Sequence, residues 1–251
     1  MRDDRGHGGV AQGAPAARGG DAARLPPVIS FDLDDTLWPI GPVIEAAESE
    51  LWAWLCERHP RAAAAHSIES MRALRAAVAA RFPERGHDMT FVRMRSLTEM
   101  LVAAGYEASA ADRAFEVFYA ARNRVICYAD VRPALARLSA HRPLFALSNG
   151  NASLERCGIA AYFAGHVHAQ SVGAAKPDPR MFAALAALAG VAPADILHVG
   201  DDPVADVEGA RRAGVQAVWI NRDGRPWPAE FEPPDHTIKS LAELESLVPV
   251  G

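Results

Sequence analysis

Three short apolar runs end abruptly in polar side chains, and they constrain the fold more than any other feature of the chain. Val28-Ile29-Ser30-Phe31 runs into Asp32, Leu144-Phe145-Ala146-Leu147 into Ser148, and Ile196-Leu197-His198-Val199-Gly200 into Asp201. Strands are expected near 28–32, 143–148, 166–171, 195–200 and 215–220, with helices near 131–140, 179–189, 203–213 and 240–247. Strand-length runs separated by helical patterns predict right-handed crossovers and a parallel sheet. Asp178 before Pro179 marks a helix start, and Gly190 and Gly214 sit where helices should stop. In an open sheet of this kind, side chains at the carboxyl ends of the strands converge on one crevice.

Between the first two strands lies a long stretch, 43–125, that reads as helix throughout. Apolar residues recur at helical spacing over 45–58, 67–80, 91–104 and 110–121, with Pro60, Pro83 and Gly105 as punctuation. Four helices of this length suit a small bundle. The expected fold is therefore α/β: a Rossmann-like, doubly wound parallel sheet built from 27–42 and 126–251, with an inserted all-helical domain at 43–125. Residues 1–26, rich in Gly, Ala and Arg, are expected to be a disordered tail.

Composition sets milder bounds. A formal net charge of −5 and a pI near 6.0 argue against a general polyanion-binding surface, so no nucleic-acid partner is expected. No run is apolar enough to span a membrane or to act as a secretory leader. Cys56, Cys127 and Cys157 are scattered and odd in number, which suits free thiols in a reducing, cytoplasmic setting.

The residues that close the strands carry the chemistry. Asp32 can attack phosphorus to form an aspartyl-phosphate. Asp34, two residues on, leans to the same side of an extended chain and can protonate a leaving oxygen and later activate water. A carboxylate approaching a phosphate dianion needs a cation, and Mg²⁺ favours a few oxygen ligands plus waters. Asp32, the backbone carbonyl of Asp34 and Asp201 would supply those oxygens. Ser148 and nearby backbone N–H groups can bond phosphate oxygens, and Lys176 adds positive charge. Each piece has a plainer reading alone: paired aspartates as a turn or cap, Ser-Asn-Gly as a turn, Lys-Pro as commonplace. Their order along the chain gives them weight.

Phe31-Asp32-Leu33-Asp34-Asp35-Thr36-Leu37, Ser148-Asn149-Gly150, Lys176-Pro177 and Gly200-Asp201-Asp202 with Asp206 together resemble the haloacid dehalogenase superfamily of phosphohydrolases. The resemblance runs from Pro27 to about Leu247. It implies that Asp32 is the nucleophile, Asp34 the general acid/base, Ser148 and Asn149 the phosphate-binding pair, Lys176 the charge-balancing lysine and Asp201 a magnesium ligand. In the same resemblance Asp202 is a further magnesium ligand, through water, and Asp206 matches a later acidic position that steadies the loop or Lys176. It also implies that the helical insertion is a cap over the site, hinged at 37–42 and 122–130. True dehalogenases lack the second aspartate, so Asp34 points to phosphate esters. Trp38, Gly41-Pro42-Val43-Ile44, Asn151 and His198 extend the similarity to bacterial phosphatases of 5-amino-6-(5-phospho-D-ribitylamino)uracil and FMN. A phosphatase of another small metabolite (phosphoglycolate, a nucleotide or a sugar phosphate) and a non-catalytic phosphate sensor are the alternatives. The expected partner is a small phosphorylated metabolite.

Other residues carry plainer expectations. Trp52, Trp54 and Phe91 are candidates to stack on a substrate ring, though each suits a core. Arg93 and Arg95 lie on the cap, Arg122 and Arg124 near its return, and His166 and His168 on an outer strand with no third metal ligand nearby. His198 reads as a packed strand histidine, and Trp227 lies in a surface loop.

Overall fold

The computed structural model describes residues 26–248; the expected tail, 1–25 of it, lies outside the described residues. Strand β1 (Val28–Phe31) is followed by a helical stretch: α1 (Ile40–Arg58), α2 (Pro60–Ala65), α3 (Ile68–Arg81), α4 (Met89–Ala103) and α5 (Ala110–Arg122). The chain then alternates α6 (Val131–Ser139), β2 (Leu144–Ser148), β3 (Gly165–His168), α7 (Ala169–Val172), α8 (Pro179–Ala189), β4 (Ile196–Gly200), α9 (Gly209–Arg212), β5 (Gln216–Ile220), β6 (His236–Ile238) and α10 (Leu241–Leu247). The six strands form one sheet in the order β3-β2-β1-β4-β5-β6, every pair parallel.

Strand periodicity sorts the core into two layers. Ile29, Phe31, Leu144, Ala146, Leu197 and Val199 face one side with α6 and α10; Val28, Phe145, Leu147, Ile196, Ala217 and Trp219 face the other with α8. Both faces are covered, which is why the strands read as unbroken apolar runs. The chain leaves β1 toward β2 on one side and β4 on the other, so Asp32, Ser148 and Asp201 emerge together at the switch point.

The expected strand at 166–171 is shorter than read. After His168 the chain turns into α7, whose start is capped by the His168 ring accepting from Ser171 N–H. The helix expected at 203–213 opens as a π-helix over Pro203–Glu208 before continuing as α9. Asp178 caps α8 with Pro179 in its first turn, and Gly190 and Gly214 take positive φ beyond the helix ends, as their positions imply. Strand β6 and helix α2 carry too little pattern to have been read from sequence.

In the helical stretch, Ala47, Leu51 and Leu55 of α1 meet Ala111, Ala114, Phe118 and Ala121 of α5, with Leu97, Met100 and Leu101 of α4 closing a third cluster. Trp52 and Trp54 pack at its margin. Helix α1 begins at Ile40, so half of the expected first hinge is already helical. Among the described residues, no helix is long and apolar enough to cross a membrane.

The three thiols are free, and they differ in reach: Cys56 is exposed, Cys127 half-buried and Cys157 buried. Burial pushes the Cys157 thiol up to about 11. A maleimide at neutral pH should therefore label Cys56 rapidly and Cys157 only after denaturation. Mass spectrometry of a time course checks this; equal rates at both positions would contradict the packing described.

Candidate active site

Asp32 follows β1 directly and ties its N–H to the Val199 carbonyl at 2.9 Å, which fixes it at the mouth between β1 and β4. Lys176 reaches the same point from the loop before α8. Its Nζ donates to Asp32 Oδ1 and to Asp206 Oδ1, each at 2.6 Å, and all three side chains are buried. Asp206 takes two further partners: Asp202 N–H donates to its Oδ2 at 2.9 Å, and His198 Nε2 lies 3.1 Å from its Oδ1. His198 is braced in turn by Ser30 Oγ at 2.8 Å from Nδ1. The packed histidine thus supports the acidic residue that holds the lysine.

Electrostatics follow from this geometry. Burial alone would raise Asp206, but Lys176 and the His198 hydrogen bond hold it well below the usual carboxylate range. Burial would lower Lys176, yet Asp206 and Asp32 keep it above its ordinary value. Asp32 is pushed well up by burial despite Lys176, with Asp206 and Asp34 adding repulsion. Asp201 rises to about 6, through burial and then Asp206.

Asp32, Asp201 and Asp206 each offer a carboxylate oxygen within 4.8 Å of the other two. Burial raises two of these three, Asp32 and Asp201, and a cation between them would bring both down again. Hard oxygens in that condition fit a divalent cation such as Mg²⁺. Asp201 is aimed by Arg225 at 3.0 Å, and its carbonyl accepts from Trp219 Nε1 at 2.8 Å. Asp202 turns away from this group: its Oδ1 accepts from Val204 and Ala205 N–H, both at 2.8 Å, as a helix N-cap.

Asp34 sits beside the group rather than in it. Its carboxylate accepts from Arg122 Nη2 at 2.8 and 2.7 Å and from Trp38 Nε1 at 2.9 Å. Asp35, at positive φ, turns the chain there and caps α1 through Ile40 N–H at 2.9 Å. Ser148 closes β2, its Oγ accepting from Gly150 N–H at 2.9 Å. Asn149 spends both ends of its amide on the Lys176 main chain, at 2.7 and 3.0 Å, so it positions the lysine loop.

Two glycines make the crowding possible. A Cβ at Gly150 would lie 2.7 Å from Asp34 Oδ2, and one at Gly200 would overlap Asp206. Arg122, 2% exposed, is the residue sequence reasoning underrated: it grips Asp34 rather than merely bracing a hinge.

A cavity of about 730 Å³ opens beside Asp34, between the helical stretch and the crevice. Arg72, Arg75, Arg93 and Arg122 reach into it, and Phe118 is its aromatic wall. Trp52, Trp54 and Phe91, the ring-stacking candidates, are not part of that wall; Phe91 packs on Phe82 and under Arg85. Arg95 pairs with Glu99. His166 and His168 form no metal group with a third ligand among the described residues.

Known proteins show the same plan. The profile of the haloacid dehalogenase-like hydrolases matches residues 26–214. The 5-amino-6-(5-phospho-D-ribitylamino)uracil phosphatase YigB of Escherichia coli is 36% identical over 228 residues, 88% of this chain and 95% of that one. The phosphoserine phosphatase of Thermus thermophilus is 37% identical over 61% of this chain and 63% of its own. The crystal structure of a 2-haloacid dehalogenase from Pseudomonas syringae pv. Tomato superposes with a TM-score of 0.83 at 36% identity, covering 88% of this chain and 97% of that one. Motifs, sheet order and relatives agree, and the chain belongs to the haloacid dehalogenase-like hydrolase family, with phosphatases among its relatives.

Proposed function

We propose that the protein is a magnesium-dependent phosphomonoester hydrolase that works through an aspartyl-phosphate on Asp32. The observation that carries this reading is the pair Asp32 and Asp34 at one crevice, the first bonded to Lys176 and the second held by Arg122 and Trp38. A dehalogenase would have no use for Asp34.

In this reading an Asp32 oxygen attacks phosphorus, and the bond to the substrate alcohol breaks as Asp34 gives its proton to the leaving oxygen. Asp34 then takes a proton from water, the water oxygen attacks phosphorus, and phosphate leaves with Asp32 restored. Ser148 Oγ and nearby backbone N–H groups hold phosphate oxygens, and Lys176 balances charge as it builds. Bound Mg²⁺ would supply Lewis-acid charge neutralisation, held by Asp32, the Asp34 carbonyl and Asp201. Asp206 keeps Lys176 and the 200–202 loop in place.

The helices of 43–125 act as a cap that excludes water and completes the substrate pocket. A polyol phosphate carrying a flat nitrogen heterocycle suits the cavity, so 5-amino-6-(5-phospho-D-ribitylamino)uracil or FMN is the proposed substrate, with a role in riboflavin synthesis in the cytoplasm. Likeness to YigB over nearly its whole length supports this choice.

Hydrolysis of p-nitrophenyl phosphate should vanish with EDTA and return with added Mg²⁺. Asp201→Ala should raise the Mg²⁺ concentration needed or remove activity altogether. Full turnover in chelator would overturn the metal assignment. Across a phosphate-ester panel, FMN or the ribitylaminouracil phosphate should show higher kcat/KM than phosphoglycolate, glycerol phosphate or glucose 6-phosphate. A clear preference for one of those three would discard the flavin-pathway substrate.

A further inference from the structure

Among the described residues, one largely buried cation in the cavity wall makes no ion pair, though the Glu48 charge acts on it from nearby. Arg72 and Arg75 share Glu48, at 2.6 and 2.5 Å, and Arg122 grips Asp34. Arg93, on α4, is 8% exposed and lines the cavity, and among the described residues nothing accepts a hydrogen bond from its guanidinium. The guanidinium lies over the Phe118 ring, 3.3 Å from its centroid, which fixes its plane. Burial, then Arg75, lowers it to about 9, so it is still charged at neutral pH. A second donor lines the same cavity: among the described residues, Arg122 Nη1 is buried with no hydrogen-bond partner. A guanidinium that opens on the cavity with one face on Phe118 keeps its N–H groups for an acceptor bound there.

The size of the cavity narrows what that something is. About 730 Å³ is enough for a whole small-molecule substrate. Ile40, Ile44, Ala76, Ala79 and Val92 give it apolar walls around Arg93 and Phe118. A short acid such as phosphoglycolate would answer the charge but leave most of the space to water against apolar surface. A flat ring with oxygen acceptors on its edge covers the walls and answers the guanidinium together.

We propose that Arg93 reads the non-phosphate end of the substrate, its N–H groups donating to the ring carbonyl oxygens of a heterocyclic dione held in the apolar part of the cavity. This rests on the phosphatase reading and on the substrate class proposed above, and adds the residue that sets specificity. Arg93 would be a binding residue for the ring, remote from the reacting phosphorus, so its removal should change discrimination between esters.

The test uses the full chain with Mg²⁺, and FMN and p-nitrophenyl phosphate as paired substrates. Arg93→Met keeps an unbranched apolar stem beside Phe118 and removes the guanidinium; its thermal midpoint reports whether the fold survives. The ratio of kcat/KM for FMN to that for p-nitrophenyl phosphate should fall about 10- to 100-fold. Arg93→Lys, which keeps charge but loses the planar fork, should recover only part of it. In parallel, flavin fluorescence should show FMN binding to Asp32→Asn enzyme weakened by a similar factor when Arg93→Met is added. An unchanged ratio, or unchanged FMN binding, would overturn the proposal. So would a wild-type preference for phosphoserine or phosphoglycolate that Arg93→Met removes, which would make Arg93 a carboxylate receptor. If neither ester is hydrolysed, the phosphatase reading fails, and the binding comparison alone decides the role of Arg93.

Discussion

Asp32→Asn enzyme is expected to fold as the wild type does and to turn over no phosphate ester. The amide oxygen can still accept from Lys176, which lies 2.6 Å from Asp32 Oδ1, so the buried lysine is not stranded. What would be lost is the proposed nucleophile, since an amide does not attack phosphorus, and one anionic oxygen of the proposed metal site. Initial rates with p-nitrophenyl phosphate and FMN, together with circular dichroism, check both halves. Appreciable turnover by a well-folded, undeamidated variant would refute the mechanism. Asp34→Asn is expected to lose about 10²–10⁴-fold. That loss should be smaller with p-nitrophenyl phosphate, whose leaving group needs no proton, than with an alkyl phosphate. Equal losses on the two would mean that Asp34 is not the proton donor.

Asp206→Ala is expected to be the most destabilising single change near the site. The side chain is 2% exposed and accepts from Lys176, from Asp202 N–H and across to His198. Its removal leaves a buried ammonium with Asp32 as its one counter-charge and an unpaired backbone N–H. Breaking a buried pair in this way costs about 3–5 kcal/mol, and the lower end suits a lysine that keeps one carboxylate. Urea unfolding gives the number, and activity should be lost with it through a displaced Lys176. The pH dependence has a definite sign. Asp206 is held below the ordinary carboxylate value of 3.8, so its contribution is complete above that pH and is lost on acidification below it. The stability gap between wild type and Asp206→Ala should therefore close in acid. A gap that is absent at pH 7, or constant down to strong acid, would show that the lysine does not depend on Asp206.

Gly200→Ala offers a second route to the same place. A Cβ at 200 would overlap Asp206, so the loop or the carboxylate must move.

Much of this site can be read along the chain because its parts are local. A buried parallel strand must be apolar on both faces, so Val28–Phe31, Leu144–Ser148 and Ile196–Gly200 stand out against amphipathic helices. The polar residue that ends each run must then face the crevice, which places Asp32, Ser148 and Asp201 with no knowledge of contacts. Helix stops at Gly190 and Gly214 are legible for a similar reason, since an αL residue after a helix favours glycine.

What the sequence could not show is which distant residues complete these parts. Arg122 lies 88 positions from Asp34, and one more arginine on an amphipathic helix carries no mark of its partner. Periodicity says that Phe118 and Trp52 both suit a helix packed on others; only the packing of α1, α4 and α5 sends Phe118 to the cavity and Trp52 to the margin. Arg93 and Arg95 are two apart on α4 and look alike in sequence. The helical turn faces one into the cavity over Phe118 and the other outward to Glu99, because residues i and i+2 cannot share a face. Strand β6 is three residues long with one buried side chain, so its existence depends on the edge that β5 offers rather than on its own pattern. The chain by itself determined the central strands, their polar ends and the run of helices between the first two, since burial and turn chemistry act on neighbouring residues. The tertiary structure alone decided which cations meet Asp34 and the cavity, since those contacts depend on how the helices pack in space.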